Sequence, residues 1–319
     1  MPRAPRPPKP LGIGVSHSLT FTPDSQSLIV AGRRVFRWSL AAGERADSCH
    51  PFANVHRVDC APDGARFAAK NTAGRICVMP AAEMTAAQVL PDKKASPGCR
   101  VLFSPCGEHL VDGSWDGRLT VRDAASGRVE LEERVDAFML RWLASDPARQ
   151  LFAYVRSPTA RFEGDHGALP TVFVRRWPFH EHPESAVPGH WPDADAVAPS
   201  PDRARLAILD RAQLCVVALD GPTRVVRRAL GEFGQTGQLN RALAWSPDGG
   251  IVACTLGDAI LFLDSATLEC RHRHVVRHAT DIAYSADGRF VAIGGWNDGV
   301  VLAVDPLGRR LAAGDEPSP

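Results

Sequence analysis

Apolar positions along this chain come in short runs, each closed by a cluster of Pro, Asp, Ser or Gly. The clearest case is Leu243 and Trp245, then Ser246-Pro247-Asp248-Gly249, then Ile251, Val252 and Ala253. This predicts two short strands joined by a tight turn. Pro presets φ, Asp bonds its own backbone, and Gly takes a positive φ without a Cβ clash. The same signal returns at Phe21-Thr22-Pro23-Asp24, Cys60-Ala61-Pro62-Asp63-Gly64 and Phe103-Ser104-Pro105-Cys106-Gly107. Two more copies are Ala198-Pro199-Ser200-Pro201-Asp202 and Tyr284-Ser285-Ala286-Asp287-Gly288, with a weaker one at Leu143-Ala144-Ser145-Asp146-Pro147-Ala148.

Five residues after each turn's Pro position stands an apolar residue: Leu28, Phe67, Leu110, Leu151, Leu206, Val252 and Val291. Subtracting their numbers gives steps of 39, 43, 41, 55, 46 and 39. A period near 40 with strand–turn–strand content predicts propeller blades. No copy buries its apolar face alone, so the copies must pack on one another. The expected fold is all-β, a seven-bladed β-propeller of four-stranded antiparallel blades. The blades are placed at about 12–49, 50–94, 95–134, 135–190, 191–230, 238–275 and 276–313, after a disordered Pro-rich arm (1–11) and before a tail (314–319). Two closures of the ring stay open: a last outer strand at 309–313, or one supplied by residues near 12–16.

Blade four departs from the pattern. Residues 157–170 intervene between its second and third strands, and a loop of that length in a repeat array is functional or disordered. Composition then narrows the function classes. Formal net charge is +1, so no global field draws in nucleic acid or a membrane. The eight Cys form no Cys-x-x-Cys pair, and Cys60, Cys77, Cys215 and Cys254 fall inside predicted strands as small buried hydrophobes. This suits a reducing compartment. The N-terminal residues have neither the apolar core of a signal peptide nor the length of a membrane span. A cytoplasmic protein is expected, and scarce Lys with abundant Arg, Ala and Pro points to a bacterial source.

At this level the chain resembles the WD-repeat β-propeller family. The resemblance rests on the Ser-Pro-Asp-Gly turns, on Gly-Ser-Trp-Asp-Gly at 113–117 and on Gly-Gly-Trp-Asn-Asp-Gly at 294–299. Third strands ending Leu219-Asp220, Leu263-Asp264 and Val304-Asp305, with Arg122-Asp123 beside them, and Gly189-His190 before blade five add to it. No third strand ends in Trp-Asp, since Trp38 and Trp177 are followed by Ser39 and Pro178. The resemblance covers about residues 12–313. It implies a rigid platform for proteins or peptides, seldom an enzyme. It also implies that the residue just beyond each second strand opens on one face of the ring.

Ten residues after each turn Pro position stand Arg33, Thr72, Trp115, Arg156, Arg211, Gly257 and Trp296. Arg and Trp dominate binding hot spots because they bring large rigid area or a planar multidentate cation. The alternative is that these side chains lean into neighbouring blades or pair locally. Five residues before the Pro position stand Ser18, Arg57, Arg100, Arg141, Ala196, Ala242 and Asp281. Arg57, Arg100 and Arg141 form a basic arc suited to an acidic peptide or a phosphate, unless they bridge to carboxylates such as Asp59 or Asp136. The insertion adds Arg161, Phe162, Asp165 and His166 to the same face.

Two His sets, His180, His182, His190 and His272, His274, His278, lack an acidic or Cys partner at ligand spacing. No Gly-x-Ser-x-Gly elbow, P-loop or GxGxxG is present. No metal and no cofactor is expected. The expected function is non-catalytic capture of a partner protein or peptide on the upper face, by a monomeric ring within a larger complex. The rival reading is a propeller hydrolase or lactonase, or a small-ligand binder, using the central channel.

Overall fold

Each turn forms because its side chains satisfy its own backbone. Ser246 Oγ donates to Asp248 Oδ1 at 2.5 Å and accepts from Ile251 N at 2.9 Å, while Gly250 N donates to Asp248 Oδ1 at 3.0 Å. The last turn position needs a positive φ, which Gly249 adopts at 70°. Three turns place a side chain there instead: Ser25 (57°), Arg149 (57°) and Arg203 (62°).

The computed structural model describes residues 11–91, 96–136, 138–158, 171–211, 213–222, 224–233, 242–276, 278–297 and 299–303. They form seven four-stranded antiparallel sheets, each a meander from an inner to an outer strand. This is a seven-bladed β-propeller. In blade three the strands are Val101–Phe103, His109–Gly113, Arg118–Asp123 and Val129–Arg134. The outer strand of blade seven is Leu11–Gly14, which pairs antiparallel with that blade's third strand, Gly299–Ala303. Residues 11–14 thus close the ring, and 309–313 lie outside the described residues.

Second strands are covered on both faces by neighbouring blades, so they read as continuous apolar runs. In Ile251–Leu256 every residue after the first is buried. Outer strands meet water on one side. Cys270–Val275 alternates half-buried and exposed positions, and in blades two and four the outer strand shrinks to Gln88–Val89 and Ser185–Ala186. Short or charged edges resist edge-to-edge pairing. Among the described residues no helix is long and apolar enough to cross a membrane.

In blade four the turn differs from its expected register by one residue. Asp146, not Ser145, takes the place of the turn Ser: Asp146 N donates to Leu151 O as Ser246 N does to Ile251 O. Asp146 Oδ1 accepts from Leu151 N at 2.6 Å and Oδ2 from Ala148 N at 3.0 Å. Pro147 therefore aligns with the other turn prolines. The repeat positions shift to Phe152, Trp142 and Ser157 in place of Leu151, Arg141 and Arg156. A one-residue slip in a strand reverses every side chain.

Candidate functional site

Strand direction alternates through each blade, so one face carries the second-to-third turns and the connections between blades. Of the predicted site residues, Arg33, Trp115, Arg211 and Trp296 stand exposed on this upper face. Among the described residues the exposed large hydrophobics are Trp115, Trp296, Val129, Val226 and Val275. The three Val lie on outer strands, whereas both Trp lie at upper turns, 52% and 49% exposed. Arg33 is exposed at the upper turn of blade one.

Trp296 forms one wall of a hollow of about 490 Å³ shared by blades seven, one and two, with His17, Arg33, His56, Thr72 and Thr280. His17 meets the Trp296 ring edge-on at 5.3 Å, and His56 lies 6.2 Å beyond His17. His17, His56 and Thr280 each stand six residues before their turn's Pro position, so they repeat in three adjacent blades. The sequence carries that signal one position ahead of the ring that holds Arg57 and Arg100, and the sequence reading missed it.

Beneath the hollow lies a layer of paired charge. Asp281, fully buried on the inner strand of blade seven, is ion-paired with Arg100 of blade three and accepts from Leu19 N at 3.2 Å. Arg57 Nη1 donates to His17 O at 3.4 Å. Both guanidinium groups stand over Trp142, Arg100 at 5.0 Å and Arg57 at 5.9 Å from the ring centre. Trp142 is the register mate of Arg57 and Arg100 once blade four is aligned on Pro147. Burial, and after it the neighbouring Arg100, pushes the Arg57 guanidinium down to about 10. Two cations and one anion leave this layer electropositive.

The other predicted residues separate from this cluster. Arg156 lies inside the second strand of blade four (Leu151–Pro158), buried, and bridges Glu184 at 2.6 Å. Its guanidinium packs over Phe173 and Tyr154, at 4.8 and 5.3 Å. It is a packing residue rather than a surface one, because the aligned repeat position in that blade is Ser157 and the second strand runs on past both residues to Pro158. Arg211 is exposed at the upper turn of blade five and pairs with Asp193 at 3.0 Å. Arg141 is displaced from the arc by the same slip and pairs with Asp195 of blade five at 2.7 Å. The arc thus does bridge to carboxylates, but to Asp281 and Asp195 rather than to Asp59 or Asp136. Arg161, Phe162, Asp165 and His166 lie outside the described residues.

Asp59 is engaged elsewhere. Arg149, the side chain that replaces a turn Gly in blade four, reaches past blade three to hold both Asp59 oxygens, at 2.6 and 2.9 Å. It also donates to Cys60 O at 2.7 Å. This clamp faces a lower channel mouth of about 550 Å³ ringed by the turn prolines. Of the two weak His sets, His272 and His274 stack at 6.4 Å, and burial lowers the pKa of both.

Burial first, then Arg57, lowers the pKa of His17, while His56 is pushed down to about 3 by burial, then Arg57, His17 and Arg100. His17 and His56 therefore face the hollow as neutral imidazoles at neutral pH. A folded-state pKa below the unfolded value means the unfolded chain binds protons first on acidification. The stability held by a neutral His56 is full above the ordinary value of 6.5 and is lost as pH falls toward 3. At most about 1.4 kcal/mol goes with each pH unit across that window. Urea unfolding at stepped pH should show this slope in wild type and a shallower one in His56→Gln. Equal slopes would show that His56 is not a buried neutral base.

No family model matches the chain, and no curated protein sequence matches it either. Solved structures do. The chain is similar to the Cps50 (Swd1) β-propeller domain of Myceliophteria thermophila, with a TM-score of 0.73 at 9% identity, over 94% of this chain and 99% of that one. It is also similar to Kuenenia stuttgartiensis hydrazine synthase, with a TM-score of 0.71 at 13% identity, over 91% and 95%. At such identities the likeness shows the propeller fold alone.

Proposed function

We propose that this chain is a non-catalytic interaction module whose upper face captures an extended segment of a partner protein carrying an acidic residue. The observation that carries the reading is the pair of half-exposed tryptophans on that face, one of them walling a hollow. Trp296, Arg33, Thr72 and Trp115 stand on blades seven, one, two and three, which follow one another around the ring. A segment laid along this arc meets two rigid aromatic anchors and an exposed guanidinium. The electropositive layer below adds attraction for a carboxylate. The ordering cost on the propeller side is low, because blade turns are fixed by their own hydrogen bonds. A hydrolytic reading is less well supported. The channel carboxylates Asp59 and Asp281 are held by Arg149 and Arg100, which leaves neither placed as a free base.

Selection from a displayed library of random peptides on the immobilised full chain tests this. Peptides with acidic residues should be enriched. For a selected peptide, Trp115→Ala/Trp296→Ala should weaken binding about 100-fold, as expected when hot-spot anchors are truncated. The unfolding free energy should stay within about 0.5 kcal/mol of wild type, as for surface positions. Unchanged binding would remove the upper face from the function. A large stability loss would make the tryptophans core residues.

A further inference from the structure

Two turns on the lower face depart from the repeat chemistry, blade four with Ala148 and blade three with a thiol. Where five turns place Asp24, Asp63, Asp202, Asp248 and Asp287, blade three places Cys106. Four of these carboxylates accept from the turn's own hydroxyl, and each accepts a backbone N–H two residues on. A thiol does this poorly. Cys106 Sγ instead lies 3.3 Å from Ser104 Oγ and 3.7 Å from His109 Nδ1. The ligating atoms of Cys106, Glu108 and His109 all lie within 4.8 Å of one another.

We propose that Cys106, His109 and Glu108 bind a borderline-soft divalent cation of the zinc class, with Glu130 fixing the imidazole. The donor set is a thiolate, an imidazole and a carboxylate, which suits Zn²⁺. Tetrahedral zinc with Zn–S near 2.3 Å and Zn–N near 2.0 Å sets sulfur and nitrogen about 3.5 Å apart. The pair stands at 3.7 Å. The far side of the ring is equally specific. His109 Nε2 lies 3.0 Å from Glu130 Oε2, on the outer strand of the same blade. A carboxylate there keeps the proton on Nε2 and turns the Nδ1 lone pair toward Cys106, the usual outer partner of a metal-bound His. Trp177 packs on the imidazole at 5.5 Å. The turn itself is rigid: His109 N donates to Ser104 Oγ at 3.1 Å, and Arg66 of blade two donates to Gly107 O at 2.8 Å. On binding, the thiol proton leaves to solvent, and thiolate plus carboxylate balance the dication. Cys106 and Glu108 are exposed, so the fourth position opens to water or an incoming donor.

Titrating the full-length reduced protein with Co²⁺ tests the site. Wild type should develop a sulfur-to-cobalt charge-transfer band at one equivalent, bleached by Zn²⁺. Cys106→Ser should abolish the band with unfolding midpoint unchanged, and His109→Ala should weaken binding at least about 10-fold. Glu130→Gln should weaken it about 10- to 100-fold while keeping the band, since it acts through His109. No band in wild type at saturating Co²⁺, or an equal band in Cys106→Ser, overturns the proposal. So does alkylation of Cys106 at the same rate with and without Zn²⁺, which would leave a thiol paired with imidazole alone.

Discussion

Replacing Asp112 by Asn should cost about 3–5 kcal/mol of folding free energy, the loss expected when one member of a buried ion pair is neutralised. Lys70, on the second strand of blade two (Arg66–Asn71), and Asp112, on the second strand of blade three, are 1% and 3% exposed at their side chains and directly paired. Lys70 Nζ also donates to Gly113 O at 2.8 Å. Between two β-sheets the ammonium has no route to water, so without the carboxylate it faces the Gly113 carbonyl, a neutral acceptor. The space around it is tight: a Cβ on Gly98 would meet Lys70 Nζ at 2.8 Å. Equilibrium urea unfolding of Asp112→Asn, Lys70→Met and the double variant Lys70→Met/Asp112→Leu checks the argument. The double variant should lie much closer to wild type than either single, because it removes both desolvated charges at similar volume. A double variant as unstable as the sum of the singles would show that the pair is packing, not electrostatics.

The repeat made the fold readable. A turn whose Ser, Pro, Asp and Gly each answer one backbone need is a strong local signal, and its recurrence set the blade number. Strands such as Ile251–Leu256 were legible because both faces are buried and the run is uninterrupted. The sequence left closure of the ring between two segments, since Leu11–Gly14 is only four residues long and two of them are Gly. Its place in blade seven depends on pairing Leu11 with Val301, at the far end of the described chain.

The site was half legible. Arg33, Trp115, Arg211 and Trp296 do stand exposed at upper turns, because position after the second strand determines face. Arg156 and Arg141 were misplaced by one residue. The weak turn of blade four substitutes Asp146 for a Ser, and its hydrogen bonds with Leu151 and Ala148 identify it. The long-range pairings Arg149–Asp59 and Arg100–Asp281 had no sequence signal at all. They join residues 90 and 181 positions apart, and each is set by where the blades bring their inner strands.

Asp281→Asn should lower stability and raise attraction for acidic ligands in the same molecule. Asn can still accept from Leu19 N, so the backbone bond at 3.2 Å survives. The charge does not. Arg57 and Arg100 would then face one another over Trp142 without their shared anion. The depressed pKa of Arg57 already reports burial and the repulsion of Arg100, with Asp281 opposing both. The expected loss is about 3–5 kcal/mol, and adding Arg100→Gln should recover most of it by removing the surplus cation. On the binding side, an acidic peptide selected on the wild type should associate faster with the Asn variant, with a steeper decline as salt is added. A neutral peptide should not change. If stability falls but acidic and neutral peptides respond alike, Asp281 is a structural link whose field does not reach the hollow. The acidic preference would then have to come from exposed cations of the upper turns, Arg33 and Arg34 among them.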